Sequence, residues 1–131
     1  CGWMLSDNPI VGISPDGISD CETIQCEIKC PQPKAHIRMC LNDEIPREYT
    51  PQCVHAFIVN SKLEKLYFCS YRPENTLKPL FVKELTLGSY VNIGTDAKPV
   101  MKSVAEVVIM MDKAIAELQE QITESINKLN F

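Results

Sequence analysis

No stretch of this 131-residue sequence approaches the roughly 18–20 consecutive apolar residues needed to cross a bilayer. No basic and then apolar signal-type segment opens it either. A membrane partner is therefore not expected, and a cytoplasmic location is. Positive charge is also scarce. Thirteen Lys and Arg against seventeen Asp and Glu leave a net charge of −4, without the basic excess usual in nucleic-acid-binding domains. That removes a general electrostatic grip on a polyanion but not a local one, because metal-site carboxylates count as negative until a cation binds. The seven cysteines are an odd number, which excludes a fully paired disulfide framework and favours reduced thiols. No cysteine follows Cys69, so the compact C-terminal group that an iron–sulfur cluster would want is missing. Internal repeats and low-complexity segments are absent too. What remains, at 45% hydrophobic and 23% charged residues, is the composition of one globular domain.

The informative stretch runs from Ser14 to Pro31. It reads Ser14-Pro15-Asp16-Gly17, a linker, then Cys26-Glu27-Ile28-Lys29-Cys30-Pro31. On a β-strand alternate side chains share a face, so Glu27 and Lys29 project together. Cys26, Ile28 and Cys30 are expected on the opposite, core-facing side, where cysteine behaves as a small hydrophobe. A zinc site drawn from Cys21, Cys26, Cys30, His36, Cys40, Cys53 or His55 is disfavoured for that reason. Two carboxylates and a lysine suit metal-dependent phosphodiester hydrolysis. A hard divalent cation prefers oxygen ligands and activates water. Asp16 and Glu27 are the candidate metal carboxylates, and the Ile28 carbonyl can add a third oxygen. Lys29 is the candidate catalytic cation, orienting water or stabilising transition-state charge. Acid-x-Lys alone is a weak signal; its specificity here comes from the flanking motifs.

Those motifs, followed by Tyr49-Thr50-Pro51-Gln52, resemble the lambda-exonuclease (YqaJ-like viral recombinase) branch of the PD-(D/E)xK nucleases. That branch shows Ser-Pro-Asp-Gly, Glu-hydrophobic-Lys-Cys-Pro and Tyr-x-x-Gln in this order. The resemblance implies an α/β, restriction-endonuclease-like core: a mixed sheet flanked by helices, with a long C-terminal helix. It implies Asp16, Glu27, Lys29 and Gln52 as catalytic residues and Mg²⁺ or Mn²⁺ as cofactor. Tyr49 belongs to the downstream active-site motif, and Ser14 matches a position lining the family's 5′-phosphate pocket. Lys34 and His36 fall where the family places a basic residue that grips phosphate. The implied activity is exonucleolytic hydrolysis of linear double-stranded DNA, 5′ to 3′, in phage-type recombination. The implied partners are DNA ends, a single-strand annealing protein and further copies in a trimer. Family members carry an upstream helical segment, so residues 1–131 are expected to form a single nuclease-core domain without it.

The elements read as follows. Pro9–Ser14 is expected as a strand leading into the Pro15-Asp16-Gly17 turn, and Thr23–Cys30 as a second strand ended by Pro31. Lys34–Arg47 reads as a loop with one helical turn. Thr50 is expected as an N-cap with Pro51 at the first helical position, placing Gln52 in the first turn. Leu66–Tyr71 and Pro79–Thr86 read as strands, and Gly88 and Gly94 bracket a polar connection. From Pro99 the pattern is helical. Val104, Val108, Met111, Ile115, Leu118, Ile122, Ile126 and Leu129 form a narrow seam, fitting a helix packed on its own sheet or shared with another subunit. His55 reads as a residue that packs or caps within its helix, Trp3 as core in preference to a stacking platform, and Arg38 and Arg47 as candidates for the DNA backbone. Two other readings fit the same residues: a restriction or repair endonuclease, and an inactive nuclease-fold remnant that binds DNA or a partner.

Overall fold

The computed structural model describes residues 2–7 and 10–129. Its centre is a four-stranded mixed sheet in the order β3 (Gly17–Ile18), β4 (Ile24–Lys29), β5 (Lys65–Tyr71), β6 (Leu80–Leu85). β4 and β5 run parallel, from Ile24 opposite Lys65 to Lys29 opposite Ser70, and the outer pairs are antiparallel. Parallel neighbours need a long crossover. Here it carries α1 (Pro33–Asn42), a 3-10 turn (Arg47–Tyr49) and α2 (Thr50–Val59). A two-stranded ribbon, β1 (Met4–Leu5) with β2 (Gly12–Ile13), precedes the sheet, and a second, β7 (Tyr90–Asn92) with β8 (Met101–Ser103), follows it. The last element is α3 (Val104–Leu129). The expected α/β architecture with a mixed sheet and a long C-terminal helix is the one found.

Four expectations change. The strand expected over 9–14 is only Gly12–Ile13, and Pro9 lies outside the described residues. The stretch expected as a loop is the helix α1. Pro33 occupies its first turn, where a missing N–H is no loss, and Asp43 closes it in the left-handed region at φ 51° with its N–H on the Met39 carbonyl. The inward residues His36 and Met39 are three apart, and the polar imidazole disguised the apolar period. Thr50 is already helical and Tyr49 is the cap, because the 3-10 turn delivers the chain in helical geometry. The polar connection around Gly88 and Gly94 is the β7–β8 ribbon.

The core lies on one face of the sheet. Leu66, Phe68, Phe81 and Leu85 pack against Cys53, Val54, Ala56 and Phe57 of α2 and Met39 of α1. α3 starts on a capping box: the Ser103 N–H donates to Glu106 Oε2 at 2.7 Å, and the Glu106 N–H donates to Ser103 Oγ at 3.2 Å. It packs on α2, burying Val104, Val107 and Ile115, so its support is a helix and not the sheet. Beyond Ile115 the seam residues Leu118, Ile122, Ile126 and Leu129 are exposed.

The largest correction concerns β4. Gln25 and Glu27 are buried while Ile24 and Ile28 are exposed, Ile28 at 47%. The charged face of this strand looks inward, toward α2, and the face expected in the core is the open one. Cys30 is exposed as well.

Candidate active site

Asp16 enters the site because β3 is short. Beyond Gly17, which pairs with Cys26, the free edge of β4 would leave the Ile28 N–H without a strand partner. Asp16 Oδ2 accepts that N–H at 2.7 Å, so a carboxylate takes the next rung of the ladder. In an extended strand the N–H and C=O of one residue point to the same edge, which puts the Ile28 carbonyl on the Asp16 side. Gly17 is required for the same pairing. A Cβ there would stand 2.6 Å from Cys26 Sγ, and without that close approach Asp16 would sit farther from β4.

Glu27 and Lys29 point from β4 toward α2. Lys29 Nζ donates to Glu27 Oε1 at 2.6 Å and to Gln52 Oε1 at 2.8 Å. Gln52 stands in the first turn of α2, so the helix start and the strand end meet at one ammonium group. Its fourth side is aromatic: Nζ lies 5.6 Å from the Tyr49 ring centroid, within cation–π range. Tyr49 is held in turn by Phe68, with ring centroids 5.5 Å apart. The carboxylate of Glu27, only 8% exposed at residue level, is thus covered by protein and matched by a cation, the condition under which a buried charge is tolerated.

The donor set is hard. Among the described residues no three His, Cys, Asp or Glu side chains converge as a metal cage, but Mg²⁺ is commonly held by one or two carboxylates and retained waters. Asp16, Glu27 and the Ile28 carbonyl fit that pattern. The nearby thiols do not compete. Burial pushes the Cys53 thiol up to about 12, with the Glu27 charge adding to it. Cys26 is raised by burial first, then by Cys69, Asp16 and Glu27.

The other expected residues divide. Ser14 is exposed and lines a cavity of about 360 Å³ together with Glu27 and Gln52. Lys34 is exposed in the first turn of α1. His36 lies in the core at 0% exposure. Its Nδ1 is 2.7 Å from Ser70 Oγ, and its Nε2–H donates to the Lys78 carbonyl at 2.7 Å. Both ring nitrogens are committed, so His36 joins α1 to β5 and the β5–β6 connection and has nothing to offer a phosphate. Arg47 Nη1 donates to the Gly94 carbonyl at 2.8 Å. It and Arg38 line a larger groove of about 1190 Å³ that meets the first cavity at Gln52 and His55. Three residues near the site stand differently from the sequence reading or were missed by it. Trp3, expected in the core, is exposed. His55 Nε2 donates to the Gly12 carbonyl at 3.2 Å. Gln25 is buried beside Glu27; its place two residues before Glu27, on the same strand face, was the available signal.

Residues 2–62 match the model of the YqaJ-like viral recombinase domain, which bears out the resemblance carried by the three motifs. The fold is that of an alkaline exonuclease from Laribacter hongkongensis, LHK-Exo. One solved structure aligns with TM-score 0.61 and 24% identity over 95% of this chain and 59% of that one. LHK-Exo in complex with dAMP aligns with TM-score 0.63 and 23% identity over 98% and 60%. The chain therefore spans about three fifths of the length of these structures. No curated protein matches it.

Proposed function

We propose that this chain carries the active site of a metal-dependent deoxyribonuclease acting on ends of linear double-stranded DNA. The observation that carries the reading is the bridge from Lys29 Nζ to Glu27 and Gln52, at 2.6 and 2.8 Å, beside an Asp16 anchored on the Ile28 N–H. A divalent cation, Mg²⁺ or Mn²⁺, held by Asp16, Glu27 and the Ile28 carbonyl would supply Lewis acidity and an acidified water. The chain's own residues do the rest. Gln52 holds the Lys29 ammonium at the strand end, and Tyr49 limits its other rotamers. Lys29 then offers N–H donors to the attacking water or to a non-bridging phosphoryl oxygen as charge grows there. Ser14, which lines the adjoining cavity, would donate its hydroxyl to a terminal phosphate. Lys34 on the first turn of α1 is retained as an outer phosphate contact, and His36 is not.

Action from the 5′ end, a role in recombination with an annealing partner, and assembly into a trimer are supported by the family resemblance. The test compares Lys29→Ala with the parent on linear and closed circular duplex in Mg²⁺. The expected result is hydrolysis of linear DNA by the parent, none of circular DNA, and a loss of about 10²–10³-fold or more in the variant with unchanged circular dichroism. Equal activity in parent and variant would falsify the assignment, and cutting of circular DNA would move it to an endonuclease.

A further inference from the structure

The chain has a single tryptophan, Trp3, and the structure leaves it 69% exposed. Indoles are large and well covered on average, and this open one borders a cavity. The side chain is seated and not adrift. It rests on Gly12, where a Cβ would come within 2.9 Å of Trp3 Cε2, of the Met4 carbonyl and of Leu5 Cδ2. The bare backbone of β2 is therefore what lets the ring lie close to the ribbon. The Gly12 carbonyl accepts the His55 Nε2–H at 3.2 Å, which ties the ribbon to α2, the helix that carries Gln52. The indole is one wall of the 360 Å³ cavity, whose other walls include Ser14, Gln25, Glu27 and Gln52. That volume is at the low end for small-ligand sites. An aromatic face, a buried amide and a carboxylate site share this one space.

We propose that Trp3 is a stacking platform for the unpaired nucleobase at the strand end whose scissile phosphate lies at Asp16 and Glu27. The proposal rests on the nuclease reading above and extends it to the base of the substrate. A π-face accepts any base, which suits an enzyme that must remove nucleotides regardless of sequence. Stacking on Trp3 also holds the terminal base apart from its complement. The platform thereby secures a separated end while Lys29 and the carboxylates face the phosphate. Trp3 touches no reacting atom in this arrangement. It positions the strand end, so its contribution belongs to binding more than to turnover.

The single tryptophan makes the test direct, because all indole emission reports on Trp3. The Lys29→Ala protein is titrated with a short 5′-phosphorylated single-stranded oligodeoxynucleotide, and with the same strand lacking its terminal base. Emission should be quenched by the first and unchanged by the second. In the otherwise native enzyme, Trp3→Ala should raise KM for linear duplex by about tenfold with kcat within about twofold, and Trp3→Phe should recover most of it. Hydrolysis without quenching, or an unchanged KM in Trp3→Ala, overturns the platform alone. Quenching without hydrolysis overturns the nuclease reading and keeps the platform. Absence of both overturns both.

Discussion

The two faces of the central sheet each carry residues of the kind usual for the other. The face covered by α1 and α2 carries Leu66, Phe68, Phe81 and Leu85, but also Gln25, Glu27, Lys29 and, through Ser70, the His36 bridge. The open face carries Ile24, Ile28, Tyr71, Leu80 and Val82, all exposed, with Lys65 and Glu84 paired across it at 3.4 Å. Apolar residues therefore face outward while a carboxylate and an ammonium sit under a helix. Burying charge is costly unless it is paired, and here the pairing is local: Glu27 and Lys29 neutralise each other from one strand. The covered face can hold charge because Glu27 and Lys29 satisfy one another. Polarity alone does not tell which face a strand presents to the core.

The sharpest break of that contrast is functional. Glu27→Ala should lower hydrolysis of linear duplex by about 10³-fold, whereas Val82→Ser, on the open face of β6, should leave the rate within about twofold. Comparable losses in the two variants would mean that the open face also meets DNA.

Stability should follow the same division. Phe68→Ala, at 0% exposure and under Tyr49, should cost about 3–5 kcal/mol in a urea titration. Val82→Ala should stay within about 0.5 kcal/mol. The buried His36 of α1 comes next. His36→Ala strips partners from Ser70 and the Lys78 carbonyl and should cost about 2–3 kcal/mol, with kcat unchanged wherever the variant is folded. A fall in kcat in the folded variant would return His36 to the active site.

Thiol chemistry gives the mildest probe. The Cys21 thiol, in the exposed β3–β4 turn, is lowered to about 7 by the hydroxyls of Ser19 and Thr23, 3.4 and 2.9 Å away. Cys53, beneath the site, is pushed up to about 12. The thiolate is the nucleophile, so iodoacetamide labelling of Cys21 should rise with pH through a midpoint near 7 and level off above it. Cys53 should stay unlabelled in the folded protein up to about pH 9. Thr23→Val should move the Cys21 midpoint upward, because it removes a hydrogen bond that favours the charged form.

Much of the site was legible because its parts are local. Glu27 and Lys29 are two apart on one strand, and Gln52 lies one residue beyond a helix-starting proline. Asp16 was found by its motif, but its role as the rung that completes β4 depends on β3 ending at Gly17. His36 was misplaced because a charged-looking stretch conceals a helix; its imidazole is satisfied by Ser70 and Lys78, residues far away in the chain. For Trp3 the core was preferred to a stacking platform because large aromatics are mostly buried, and the structure leaves it exposed. The exposed half of the α3 seam, from Leu118 to Leu129, was legible as a stripe but not as an unsupported one, since where the body of the fold ends is not written in the period of a helix.

The sequence by itself determined which residues are candidates for the chemistry and that Glu27 and Lys29 must share a face, because strand periodicity and motif spacing are local properties. Only the tertiary structure decided which way that face looks, since this depends on where α1 and α2 pack after the crossover. It also decided which carboxylate completes the strand edge, and that His36 and Trp3 exchange their expected environments. Those outcomes turn on hydrogen bonds and close approaches between segments distant in the chain, which no local pattern encodes.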